Sequence, residues 1–287
     1  KYIFDFKINH LVIPKAIIKF LTFLDLISPY LCMRFAVHLW TKPSKLKSLK
    51  VEEELLLSSE AFLLKVKPIN KTINCYHWRG EGPKILLVHG WSGRASNMFK
   101  IIQKLKQNNF DVYAFDAPAH GKSNGSNTNL PEFISCIESL ALKLNPIYAL
   151  VGHSLGGFAS VYCAAKKIKL DKIVLLCPVN SIYQLFETFF NYARLKVKTR
   201  ELMINYFFKK TEIKINGELA SEKLVKQIKS KVLLIHDQND KQLSILESNK
   251  MKKNIVNGTV YFTKGLGHSR ILRNYNVIDK IVSFLKT

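Results

Sequence analysis

The stretch ALVGHSLGGFAS, Ala149 to Ser160, decides the reading of the whole chain. One serine, Ser154, stands among Gly152, Gly156 and Gly157, directly after an apolar run. Each Gly inside a helix costs about 1 kcal/mol relative to Ala, so this crowding needs a local cause. A sharp strand-to-helix turn supplies one. The serine backbone is strained there, and the neighbours two before and two after come too close for side chains. Gly152-His153-Ser154-Leu155-Gly156 is a G-x-S-x-G element of this kind, with a strand expected before it and a helix after it. Gly157 permits a still closer approach of helix to strand.

Outward from this turn, short apolar runs alternate with longer helical stretches. The runs are KILLVHG (84–90), DVYAFD (111–116), IYALVGH (147–153), KIVLLCP (172–178), KVLLIHD (231–237) and TVYFTKG (259–265). Runs this short and continuous suit strands buried on both faces. Helices are expected near 95–107, 131–144, 155–167, 243–253 and 274–286. The alternation predicts an α/β chain with a mainly parallel central sheet flanked by helices. Upstream, VEEELLLSSEAF reads as helical, and LLKVKPINKTINCYHW as an antiparallel hairpin turning at Asn70-Lys71.

The rhythm breaks once, between KIVLLCP and KVLLIHD. The aromatic, basic and helix-compatible insertion there follows a strand's C-terminal end, where open parallel sheets bind ligands. It reads as a helical cap over 181–228, between core segments 51–180 and 229–287, after an N-terminal helical extension over 1–50. In that extension ISPYL marks a break, with Ser28 as N-cap and Pro29 opening the second of two helices, about 14–26 and 29–41. The pair is either a hairpin packed on the core or an interfacial anchor over 11–41 with its lysines on the polar edge. No window reaches the roughly 18 uninterrupted apolar residues of a spanning helix.

A serine hydroxyl needs a base to act as a nucleophile. His268, in TKGLGHSRIL after the last expected strand, is the choice; His236 falls inside a strand end and His120 in a turn. The imidazole needs a carboxylate to hold its tautomer. Asp240 follows a strand end at the right place, with Asp237 as its rival and turn-capping as the other reading of Asp237. An oxyanion needs backbone donors. The Leu155 amide, at a helix N-terminus, and the Trp91 amide, in HGWSGRAS, are the candidates. Asp116, in FDAPAHGKSNG, reads as structural, bonded to amides of the turn made by Pro118 and Gly121. His153, Phe186, Phe190 and Phe207 are candidate substrate-pocket residues; for the aromatics of the insertion the other reading is that insertion's own core.

Composition narrows the classes. The chain has 287 residues, 47% of them hydrophobic, enough for a sizeable core. Five cysteines show no C-x-x-C pair, so neither a disulfide framework nor a zinc site is expected, and a reducing, cytoplasmic compartment fits. The net charge of +23 comes almost wholly from Lys spread along the chain, without an Arg-rich helix, which argues against nucleic acid as a partner.

LLVHGWSGR, FDAPAHGKS, GHSLGG, HDQND and GLGH fall in the order and spacing of the α/β-hydrolases, and over residues 70–287 the chain resembles bacterial serine hydrolases and esterases with a helical cap. KQLS after Asp240 departs from the Val-Pro pair of many members. The resemblance implies a Ser154–Asp240–His268 triad, oxyanion donors at Trp91 and Leu155, no metal or other cofactor, and a small acyl ester as substrate. A thioesterase, acyltransferase or aminopeptidase-like enzyme would use the same triad. A binder of hydrophobic ligands, or a lipid-handling protein at the inner face of a membrane, is the non-enzymatic reading. Neither residues nor resemblance bear on the oligomeric state.

Overall fold

The computed structural model of the chain describes residues 13–45, 47–211 and 219–287. Its central feature is one eight-stranded sheet in the order β1-β2-β4-β3-β5-β6-β7-β8. The strands are β1 (Glu60–Val66), β2 (Lys71–Trp78), β3 (Lys84–Val88), β4 (Asp111–Phe115), β5 (Ala149–His153), β6 (Lys172–Leu176), β7 (Lys231–Asp237) and β8 (Gly258–Thr263). The β1–β2 and β2–β4 pairs are antiparallel, and every other pair is parallel. Strands β4, β5 and β6 are buried at every position, which is why their sequences are unbroken apolar runs rather than alternating ones.

The helices are α1 (Lys15–Ile27), α2 (Pro29–Thr41), α3 (Lys50–Leu57), α4 (Phe99–Gln107), α5 (Leu130–Leu144), α6 (Leu155–Lys166), α7 (Ile182–Tyr192), α8 (Val197–Thr211), α9 (Ser221–Leu224), α10 (Ile245–Lys252), α11 (Gly267–Arg270) and α12 (Tyr275–Lys286). One sheet face packs Leu87, Val151 and Leu233 against Ile101 and Leu105 of α4 and Val277 and Ile281 of α12. Two lysines opening strands reach helix ends. Lys172 Nζ donates to the Phe284 and Leu285 carbonyls at 2.9 and 3.2 Å, and Lys84 Nζ to the Leu144 carbonyl at 2.9 Å. Both satisfy C-terminal carbonyls that a helix leaves unpaired.

One boundary differs from expectation. Glu60, Ala61 and Phe62 belong to β1, not to the preceding helix, because they pair with His77, Tyr76 and Cys75 of β2. Their helix propensity is a few tenths of a kcal/mol per residue, and cross-strand pairing outweighs it. The hairpin turns at Asn70, whose φ is 49°.

The described parts of Lys1–Lys42 and Ser181–Ala220 form one compact unit, and those of Pro43–Asn180 and Ser221–Thr287 form the other. The sequence separates an extension from an insertion; the structure groups α1 and α2 with α7 and α8 and leaves α9 with the sheet. Asp25 shows why α1 belongs there: its buried carboxylate accepts from Thr199 Oγ1 at 2.5 Å and from the Lys196 amide at 2.7 Å. Ser28 caps α2, accepting from the Leu31 amide at 3.3 Å. Residues 11 and 12, counted in the anchor reading, and 212–218, counted in the cap, lie outside the described residues. Among the described residues no helix is long and apolar enough to cross a membrane.

Candidate active site

Ser154 sits between β5 and α6 with φ 53° and ψ −119°. A non-glycine residue there is strained by about 1–3 kcal/mol and persists only where its surroundings hold it. They do so through the backbone: the Ser154 amide donates to the Leu176 carbonyl at 3.0 Å, and its own carbonyl accepts from Phe158 and Val179 at 3.2 Å. A Cβ on Gly156 would stand 2.5 Å from the Val88 carbonyl oxygen, and one on Gly152 would stand 2.6 Å from Ser160 Oγ. The crowding of glycines is therefore steric: α6 lies directly against the ends of β3 and β5.

The donors at this turn follow from the same packing. Leu155 opens α6, so its amide has no acceptor within the helix. Gly90 follows β3, and a Cβ there would stand 2.9 Å from the Ser154 Cβ. The next residue, Trp91, thus begins a loop that passes beside the serine, and its amide has no acceptor among the described residues. Two histidines shape this loop. His89 Nε2 accepts from the Ala117 amide at 3.0 Å while Nδ1–H donates to the Gly90 carbonyl at 2.7 Å. His120 Nε2 accepts from the Ser92 amide at 2.9 Å while Nδ1–H donates to the Pro118 carbonyl at 3.0 Å. Both rings must be neutral to accept an N–H. Burial enforces this, pushing His89 down to about 4 and His120 down to about 3.

His268 lies on α11, which follows β8 through a loop with Gly265 at φ 85° and Gly267 at φ 67°. Its Nδ1 is 2.7 Å from Asp240 Oδ2. Asp240 Oδ1 accepts from the Gln242 and Leu243 amides at 2.8 and 3.0 Å. Burial pushes the Asp240 carboxyl up, but hydrogen bonds from His236 and His268, together with the charge of His268, outweigh that and hold it well below the usual carboxylate range. An ionised Asp240 only accepts, so His268 donates from Nδ1, and Nε2 is the nitrogen left to exchange a proton with a reacting group.

Asp237 has other work. Its Oδ1 accepts from the Asn239 amide at 2.9 Å, and its Oδ2 from Thr263 Oγ1 at 2.7 Å and the Leu266 amide at 3.0 Å. It ties the end of β7 to the loop that carries His268. Asp116 is likewise a strut. It accepts from the Ala95 amide, the Tyr76 hydroxyl and the Lys122 amide, all within 2.9 Å, so it binds the segment between β3 and α4 and strand β2 as well as its own turn.

Two histidines that a strand-end position conceals belong to this network. His153, next to Ser154, places Nε2 3.0 Å from the His268 carbonyl oxygen, and the two rings lie 4.7 Å apart. It joins the histidine loop to the serine turn, and burial, aided by His268, pushes it down to about 3. His236, wholly buried on β7, donates from Nε2 to the Leu243 carbonyl at 3.0 Å with Asp240 Oδ2 at 3.3 Å, while Nδ1 meets Ser248 Oγ at 2.6 Å. Cys177 completes the cluster, with a donor atom within 4.8 Å of those of His236 and Asp240. Only the acid's position after β7 signals these partners in sequence. Phe186, Phe190 and Phe207 belong to the helical unit. There Phe186 stacks near Trp40 at 4.6 Å, Phe190 at 5.6 Å and Phe207 at 5.3 Å, and all three phenylalanines are buried.

Comparison with known proteins agrees with this architecture. A family model described as alpha/beta hydrolase fold matches residues 83–213. The chain is 33% identical to the uncharacterized hydrolase YugF of Bacillus subtilis, over 44% of this chain and 50% of that protein, so it matches half that relative's length. It is 23% identical to human monoacylglycerol lipase ABHD6, over 72% of this chain and 77% of that protein. The esterase Pf2001 of Pyrococcus furiosus superposes with a TM-score of 0.65 at 19% identity, over 85% of this chain and 96% of that one, a likeness of fold. By its sheet order, its strand-end turn and the matching family model, the chain has an α/β-hydrolase fold.

Proposed function

We propose that the protein is a serine hydrolase that cleaves carboxylic esters through an acyl-enzyme. Ser154 Oγ attacks the ester carbonyl while His268 Nε2 takes its proton. Asp240 keeps the imidazole in the required tautomer and stabilises its cation. The Trp91 and Leu155 amides hold the oxyanion of the tetrahedral intermediate. The His268 proton passes to the departing alkoxide, and water, deprotonated by the same ring, releases the acid.

The observation that carries this reading is the Asp240–His268 hydrogen bond of 2.7 Å on a loop tied by His153 to a positive-φ Ser154. The similarity to a monoacylglycerol lipase and to an esterase favours an ester over an amide.

The test is labelling by a fluorophosphonate, read by intact mass, on the parent and on Ser154→Ala. One adduct on the parent and none on the variant is expected, followed by hydrolysis of short acyl esters in preference to thioesters and aminoacyl amides. A folded parent that takes no adduct would replace this reading by a non-catalytic binder of hydrophobic ligands. Faster turnover of thioesters would move the assignment to that class.

A further inference from the structure

Helices α1 and α2 form a hairpin with a reversed distribution of polarity. Cys32 Sγ meets the Leu21 carbonyl at 3.4 Å, and the Phe20 and Phe35 rings pack edge-on at 5.2 Å, so the two helices run back to back from the bend at Ser28. The only acidic residue of the hairpin, Asp25, is buried at 3% exposure. The outward side at the bend is apolar: Phe23 is 57% exposed, Leu26 66%, Ile27 63%, Tyr30 55% and Leu31 53%. Farther from the bend the exposed side chains turn cationic, with Lys15 and Lys19 on α1 and Arg34 on α2.

Soluble proteins rarely leave a contiguous apolar patch of this kind uncovered. Its cationic surround selects the cover. A second copy would set Lys15, Lys19 and Arg34 against their equivalents, in a chain already at +23. A lipid surface with anionic headgroups meets both features, taking the apolar bend among its acyl chains while the cations stay at headgroup level. Each helix has 13 residues. At about 1.5 Å per residue neither crosses a hydrocarbon core of about 30 Å, so the hairpin enters one leaflet only.

We propose that the bend of the α1–α2 hairpin is a membrane-docking surface that inserts Phe23, Leu26, Ile27, Tyr30 and Leu31 into the interface of an anionic bilayer. The proposal does not depend on the chemistry of Ser154, because its readout is binding.

The experiment is co-sedimentation of the full chain with vesicles of phosphatidylcholine alone or with about one-third phosphatidylglycerol, at low and high salt. The chain is expected to pellet with the anionic vesicles. Phe23→Ser combined with Ile27→Ser is expected to weaken partitioning at least about tenfold, since two buried apolar side chains are lost. Lys15→Glu combined with Lys19→Glu is expected to remove the preference for anionic lipid. A second measurement leaves the surface nearly intact: Leu26→Cys carrying an environment-sensitive dye should shift to the blue on anionic vesicles. The native cysteines are all buried and do not compete for the label. A chain that stays in the supernatant at low salt overturns the proposal. So does a Phe23/Ile27 variant that binds like the parent, which would assign binding to net charge alone. A variant that turns a dimer into a monomer in light scattering without vesicle binding would assign the bend to a second copy.

Discussion

Two loops at the strand ends deliver the two reacting groups of the proposed mechanism, and they do so by opposite means. The Ser154 turn is placed by what is missing: Gly90, Gly152 and Gly156 leave room for backbone to touch backbone. The His268 loop is placed by what is present. Asp237, Asn239 and Asp240 receive its side chain and amides, and Arg270 donates from Nη2 to the Gly265 carbonyl at 2.8 Å. Steric placement is unforgiving, and its pH dependence comes from the buried histidines that hold the neighbouring loop. Hydrogen-bonded placement tolerates small changes of shape but depends on protonation. The two regions should therefore fail differently.

The largest effect is expected at the charge of the hydrogen-bonded loop. Asp240→Asn removes the acceptor that sets the His268 tautomer, and kcat should fall by about 10⁴-fold with the fold intact. Steady-state hydrolysis beside circular dichroism checks this; a loss under tenfold would mean that His268 is not the base. At the steric turn, Gly156→Ala should destabilise the fold by about 3–5 kcal/mol, because its Cβ meets the Val88 and His89 carbonyls rather than a movable side chain. Urea denaturation reads this directly, and a cost below about 1 kcal/mol would show that α6 can retreat.

Acid tests the serine side at an intermediate scale, through the buried histidines around its loop. His89, His120 and His153 are pushed down to about 4, 3 and 3 in the folded chain. The unfolded chain takes up these protons near pH 6.5, so stability is complete above that value and is lost as pH falls from there toward 3–4. Each such ring withdraws up to about 1.4 kcal/mol per pH unit in this window. Thermal melting should therefore drop steadily below pH 6.5, and His120→Asn should flatten that slope. An unchanged melting temperature at pH 5 would mean that these rings take up protons in the folded chain as readily as in the unfolded one. The smallest effect is expected at Gly265, where a Cβ meets nothing within 4 Å but φ is 85°. Gly265→Ala should cost about 1–2 kcal/mol from backbone strain alone, read by the same urea titration. A cost equal to that at Gly156 would erase the distinction between the two loops.

Much of this was open to inspection in the chain itself. Apolar runs such as KIVLL mark strands because a doubly covered strand has no solvent face to alternate with. Ser28 and Pro29 mark a helix start because capping chemistry is local. The turn at Ser154 is legible because close packing leaves its trace as glycine. His236 and His153 are less legible. Their partners, Ser248, Asp240 and the His268 carbonyl, come from other elements, and no periodicity announces a contact between residues 115 apart. The strand at Glu60–Phe62 was hidden for the same reason, since its preference is written in β2.

The sequence by itself thus determined the buried strands of a mainly parallel sheet, the bend that raises Ser154, and the strand ends after which Asp240 and His268 stand. Each rests on interactions a few residues long, or on burial that composition records. The tertiary structure alone decided which groups Asp237 ties together, and that buried histidines clamp the loop on both sides of Trp91. It also decided that α1 and α2 share a unit with α7 and α8 while turning apolar side chains outward. These follow from where separate segments meet in space, and a hydrogen bond acts over about 3 Å however far apart its partners lie along the chain.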